Sequence, residues 1–190
     1  MVARIGPDEA PAFVRNALRG RHGTCWVGID GKGAAGKTTL AARVAAVLRD
    51  AVVVHVDDFA RASVATWERD RFVAQVLEPL AAGRSARYQR WDWATDRLAG
   101  WSDVPVGVPV VVEGVSSTDV RLGVPWDVTL WVDALYEVRL ARALERDGES
   151  MREQWVGRWM PEEDAYEAAQ RPQERVDAVV AVVAATAPGS

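Results

Sequence analysis

Residues 31–38 read Gly31-Lys32-Gly33-Ala34-Ala35-Gly36-Lys37-Thr38, between a short apolar, β-prone run, Cys25 to Ile29, and an Ala/Leu/Val helix pattern, Thr38 to Arg49. This is G-x-x-x-x-G-K-[ST] in the strand, loop, helix setting that the motif requires. Glycines let successive backbone N–H groups converge on one point, and the following helix adds the positive end of its dipole. Such a cradle fits phosphate oxygens. Lys37 then reaches the β- and γ-phosphates, the Thr38 hydroxyl is placed to ligate Mg2+, and Thr39 lies toward the α-phosphate. The expected ligand is a nucleoside triphosphate, ATP first, with Mg2+. Gly31, Lys32, Gly33, Ala34, Ala35, Gly36, Lys37, Thr38 and Thr39 form its cradle.

Outward from the loop, Ala51 to Val56, Val108 to Val112, Val128 to Val132 and Ala178 to Val183 are four more apolar strand patterns. Helical spacing runs over residues 8–20, 67–82, 134–146 and 149–170, the third directly after a strand and the last with an interruption expected at Pro161. Uniformly apolar strands alternating with helices predict an α/β sandwich: a five-stranded parallel sheet covered on both faces. Ligands of such sheets bind beyond the carboxyl ends of the strands. Asp57, Asp58, Glu113 and Asp133 stand at those ends. Residues 84–107 mix aromatic and charged side chains without a helical period, which predicts a hairpin excursion, and residues 184–190 read as a loose tail.

The chain has 190 residues, enough for one domain, and 49% of them are apolar and 26% charged, the composition of a folded protein. The charge balance, 23 − 27 = −4, argues against binding nucleic acid or an anionic membrane through net charge. Apolar runs stop well short of the roughly 18 residues a bilayer span needs. Cys25 has no partner for a disulfide and no signal-peptide pattern is present, so a cytoplasmic location is expected, with oligomerisation left open. Of the 23 basic residues 21 are arginine, and the two lysines, Lys32 and Lys37, share the glycine-rich loop. A compact ammonium is wanted there in place of a planar fork.

The remaining sequence discriminates among triphosphate users. The guanine-reading Asn-Lys-x-Asp pattern is absent, since Asn16 is the only Asn and precedes the loop. No mechanical-ATPase signature is visible either, which leaves small-molecule kinase chemistry. Asp57, 20 residues after Lys37 and at a strand end, is placed to orient an attacking hydroxyl and take its proton. Asp58 points the other way. The alternative for this pair is a simple turn cap. Glu113 ends its strand where a carboxylate can hold Mg2+, directly or through water. Arg139, Arg142 and Arg146 fall on one helix face, either closing over phosphates or lying solvated against Glu145 and Glu149.

Together these features resemble the uridine kinase and phosphoribulokinase-like branch of the P-loop kinases, relatives of which include nicotinamide riboside and pantothenate kinases. The resemblance is carried by Gly28-Ile29-Asp30-Gly31, His55-Val56-Asp57-Asp58-Phe59, Val111-Val112-Glu113-Gly114, and Arg139-Leu140-Ala141-Arg142 through Glu145-Arg146-Asp147. It implies a P-loop NTPase fold, Asp57 as base, Thr38, Asp57 and Glu113 around magnesium, and Arg142 and Arg146 on a lid over about residues 142–160. It also implies a substrate hairpin at Tyr88 to Trp93, where Trp91, Asp92 and Trp93 stand in the place of Tyr-Asp-Phe, with Asp58 toward the acceptor. The implied acceptor is a small-molecule alcohol, a nucleoside first. Neither His22 nor His55 lies in the hairpin to read a base, so another riboside, a sugar, a pantothenate-like alcohol, or a non-catalytic ATP-binding role stands as the alternative.

Overall fold

Valine-rich runs become interior strands when helices cover both faces, because branched side chains pack well on a pleated surface. The computed structural model describes residues 2–61, 66–93 and 95–182. In chain order it contains β1 (Ala3–Ile5), α1 (Ala10–Ala17), β2 (Cys25–Gly31), α2 (Lys37–Ala46) and β3 (Val52–His55), followed by a 3-10 turn at Val56–Phe59. Arg69–Phe72, Val73–Leu77 and Glu78–Ala81 run on as one helix, α3, and β4 (Ala86–Asp92) and β5 (Arg97–Val104) form an antiparallel hairpin. Then come β6 (Pro109–Glu113), β7 (Val128–Ala134) and α4 (Tyr136–Asp147). Arg152–Gln154, Trp155–Trp159 and Met160–Gln170 make the long helix α5, and β8 (Ala178–Val182) closes the description. The tail expected to be loose lies outside the described residues.

The sheet is parallel throughout, in the order β1-β8-β7-β2-β6-β3, with six strands and not the expected five. The addition is β1, which pairs Ala3 with Ala178 and Ile5 with Val180 at the edge. Three residues with Arg4 in the middle carry no readable periodicity. No helix among the described residues is long and apolar enough to cross a membrane.

Strand alternation divides the interior into two cores. Val27, Ile29, Val111, Leu130 and Val132 face α1 and α2, meeting Val14, Leu40 and Val44. Trp26, Val54, Val110 and Val112 face α3 and the hairpin, meeting Phe59, Phe72, Val76, Tyr88 and Val104. Each such fully buried aliphatic or aromatic side chain stabilises the fold by about 1.5–3 kcal/mol.

Pro161 does not interrupt its helix. A proline inside a helix clashes with the carbonyl four residues earlier. Both internal prolines follow five-residue π-helical stretches, Val73–Leu77 before Pro79 and Trp155–Trp159 before Pro161, whose wider turn accommodates the ring. Each helix therefore continues.

Polar burial ties the sheet to the segment after β6. Asp30, fully buried, accepts from the Gly31 N–H (2.7 Å), the Ser116 N–H (2.9 Å), the Thr118 N–H (3.0 Å) and hydroxyl (2.7 Å), and the Tyr166 hydroxyl of α5 (2.7 Å). At Gly114, φ is +149° and an added Cβ would lie 2.4 Å from the Val56 Cβ. Gly114→Ala is expected to cost about 2–4 kcal/mol in chemical denaturation, from strain plus overpacking. Gly20→Ala, with φ +78° but nothing within 4 Å of the new methyl, should cost only about 1 kcal/mol.

Candidate active site

The loop from β2 into α2 takes a conformation that its residues make available. Gly31 (φ +147°) and Gly36 (φ +104°) turn in the region L side chains avoid, and Ala34 (φ +59°) turns there with a Cβ. A Cβ at Gly31 would stand 2.6 Å from the Val132 carbonyl oxygen of β7, so that strand's approach requires glycine. Lys37, nearly buried at 7% exposure, stretches its Nζ across the loop to donate to the Lys32 carbonyl at 2.8 Å. Thr38 and Thr39 open α2 directly behind it.

Beside the loop, the Thr38 hydroxyl donates to Glu113 Oε1 at 3.0 Å, and His55 Nδ1 lies 2.6 Å from the same oxygen. The parallel register of β3 on β6 pairs His55 with Glu113 and sets this contact. The hydrogen bond to Glu113 raises the His55 pKa, while burial works the other way. A hydroxyl and a carboxylate are hard oxygen donors that suit Mg2+, which keeps waters and phosphate oxygens for most of its coordination. The residues present therefore fit a cation delivered with phosphates.

Asp57 and Asp58 lie in the 3-10 turn after β3 and face apart. Asp57 is exposed to solvent, yet the protein around it displaces enough water to raise its pKa, with Lys37 opposing, Glu113 reinforcing and Arg146 opposing. Its carboxylate thus stands in the fields of the loop lysine and the α4 arginine together. Asp58 turns to the hairpin and accepts from the Tyr88 hydroxyl at 3.1 Å, while Arg71 donates to the Asp58 carbonyl at 2.6 Å. Tyr88 is buried and stacks on Phe59 at 5.0 Å, a packing position.

The hairpin differs from its expected form. Trp91 is half-buried, with the Arg61 guanidinium 5.9 Å from its ring centroid, whereas Trp93 lies beyond β4 and is 52% exposed. The two indoles are not both strand residues, because β4 ends at Asp92, between them. Asp92 closes the turn, accepting from the Thr95 hydroxyl at 2.8 Å.

The three arginines of α4 also separate. Arg142 reaches toward the loop, its Nη1 3.4 Å from the Ala35 carbonyl oxygen. Arg146 is held by Asp147 (2.7 and 2.9 Å), which also accepts from Trp155 Nε1 at 3.0 Å. Arg139, 2% exposed, turns inward to Glu163 of α5 at 3.4 Å. Neither Glu145 nor Glu149 pairs with them; Glu149 pairs with Arg152. Lys32, expected to face phosphate, sends its side chain away to Asp164 (2.6 Å) and Glu167 (2.5 Å) of α5.

Sequence reading missed Glu163, the bonds of Asp147 to Arg146 and Trp155, and the pairing of His55 with Glu113. Glu163 sits in an ordinary acidic helix segment, and nothing in its spacing marks it. Burial raises the Glu163 pKa, and Lys37 opposes that more strongly than Arg139 does. A cleft of about 640 Å³ between α4 and the start of α5, lined by Tyr136, Leu140, Arg152 and Val156, lies apart from these groups.

Two solved structures are similar to the chain over nearly its whole length. A possible uridine kinase from Bacillus stearothermophilus shares 20% identity with a TM-score of 0.70, over 91% of this chain and 98% of its own. A protein provisionally assigned as a fructose transport system kinase, from Silicibacter sp. TM1040, shares 20% identity with a TM-score of 0.71, over 92% and 98%. No family model and no curated protein matches the chain. The chain has the α/β fold of these two structures.

The His55 pair has a testable sign. A raised folded pKa adds stability that is complete below the unfolded histidine value of about 6.5 and is lost as pH rises through the folded value. In urea unfolding, wild type should lose stability relative to His55→Gln on going from pH 6 to pH 9; parallel curves for the two proteins would remove the ion pair from the account.

Proposed function

We infer that the chain is an ATP- and magnesium-dependent phosphotransferase that moves the γ-phosphoryl group to a hydroxyl of a small molecule, a nucleoside first. The observation that carries this reading is the place of Asp57, in the 3-10 turn after β3 at the same end of the parallel sheet as the glycine-rich loop after β2, with Lys37 and Arg146 both acting on its charge. A base set opposite a phosphate cradle is what transfer to an alcohol requires and what simple nucleotide holding does not.

Magnesium triphosphate, when bound, supplies the transferable group and neutralises part of its charge. The chain's residues do the rest. Asp57 accepts the hydroxyl proton as the new P–O bond forms and the bond to the ADP oxygen breaks. Lys37, Arg142 and Arg146 stabilise charge on the equatorial oxygens. Thr38 and Glu113 hold the metal side, with His55 fixing the Glu113 carboxylate. On the acceptor side, the Trp91 face can stack a base for roughly 1–3 kcal/mol.

A second reading of the acceptor, a sugar or another polyol, draws on one specific observation. His55 is committed to Glu113 and His22 lies by Cys25 at another part of the surface, so no imidazole serves the hairpin as a base reader. The two similar structures are also named for different acceptors, uridine in one and fructose in the other.

ADP release measured over a panel of nucleosides, sugars and vitamin precursors separates these readings. Tight ATP binding with no acceptor-dependent turnover would point to a binding module. Asp57→Asn should lower acceptor-dependent turnover at least ~100-fold with ATP affinity within about threefold. Since the base must be ionised, kcat/KM of the wild type should rise with pH through a value above the ordinary aspartate 3.8.

A further inference from the structure

The helix α5 carries Glu162, Glu163, Asp164 and Glu167 within six residues, and of these only Glu163 is buried, at 7% exposure. An acid leaves water only where cations and N–H groups receive it. The Glu163 receiver is the loop itself. Its Oε1 lies 2.5 Å from where a Cβ on Gly33 would stand, and the Gly33 backbone amide favours its charged form against the burial that opposes it. Trp155 covers the same glycine, 2.7 Å from that Cβ position.

The seat is only partly satisfied. Glu163 Oε2, Arg139 Nε and Arg139 Nη2 are buried without a hydrogen-bond partner among the described residues, although Arg139 Nη2 and Glu163 Oε2 are 3.4 Å apart. Groups left in this state cost about 1–3 kcal/mol each. A phosphoryl group presents three oxygens, enough to meet an amide, an ammonium and a guanidinium fork at once, where a carboxylate has two.

We propose that Glu163 is an internal occupant of the anion seat formed by Gly33, Lys37 and Arg139, and that a triphosphate binds by expelling it, lifting this part of α5 from the loop. The proposal rests on the reading of the loop as a triphosphate cradle. Two anions cannot share one set of donors, so the competition is steric as well as electrostatic. The ion pairs of Lys32 with Asp164 and Glu167 are more exposed and lie outside the seat.

Calorimetric titration of inorganic tripolyphosphate, and of ATP with magnesium, into wild type, Glu163→Gln and Asp164→Asn tests it. The expected result is roughly tenfold tighter binding of both ligands to Glu163→Gln, because the competent state is no longer taxed by the occupant. Asp164→Asn, which removes the same charge from the same helix but outside the seat, should gain less than about threefold. Equal gains in the two variants would reduce the effect to distant charge and overturn the proposal, as would no gain in Glu163→Gln. If Arg139 without its acid unfolds that variant, Glu163→Asp keeps the charge but withdraws the oxygen from Gly33. It should gain about threefold, and an unchanged affinity overturns the proposal. Folded wild type and variants that all ignore both ligands would remove the triphosphate reading itself; equal, measurable binding would remove only the role of Glu163.

Discussion

A dehydrated carboxylate, Asp30, organises the end of this sheet that bears the glycine-rich loop. It leaves water completely, which is tolerable only because five donors surround it, three of them backbone amides. Those donors come from the first residue of the phosphate loop, from the segment following β6, and from α5. The entry angle of the loop, the course of residues 114–118 and the seating of α5 are therefore consequences of solvating one anion without water. Asp119 repeats the device a few residues on. It is buried, yet Arg121, Gln170 and Arg69 bind it and hold its pKa well below the usual carboxylate range.

From that frame the charges of the site are distributed by strand register and helix direction. The β3–β6 register puts His55 on Glu113, and Glu113 in turn meets the first turn of α2. Helix α4 crosses the loop so that three arginines one or two turns apart serve three places: Arg139 against α5, Arg142 at the loop, Arg146 toward Asp57. A helical face that looks uniform in one dimension is thus divided among three environments.

Much of the cradle was legible in the sequence because its backbone geometry is residue-specific: only glycine accepts the approach of Val132 at position 31. The interior strands were legible because burial on both faces leaves uninterrupted Val and Ile runs. The short edge strand β1 was not, since three residues carry no period. Nor were the π turns, which answer a clash between Pro79 or Pro161 and the preceding turn without altering the apolar pattern. The partners of Asp30 and Glu163 were hidden for another reason. Their donors lie up to 136 residues away in the chain, and a buried acid is indistinguishable from a surface acid until tertiary contacts exist. The hairpin was expected in the right place, but the end of β4 at Asp92, which leaves Trp91 in the strand and Trp93 beyond it, has no mark in the sequence.

The lysine placement noted in the loop has a chemical corollary. Every other basic side chain here is arginine or histidine, so Lys32 and Lys37 are the chain's entire stock of side-chain primary amines. One is nearly sealed beneath the loop and the other is engaged by two acids of α5. Reagents or enzymes that acylate, alkylate or conjugate lysine consequently find their side-chain targets on this molecule in a single eight-residue segment, the glycine-rich loop between β2 and α2.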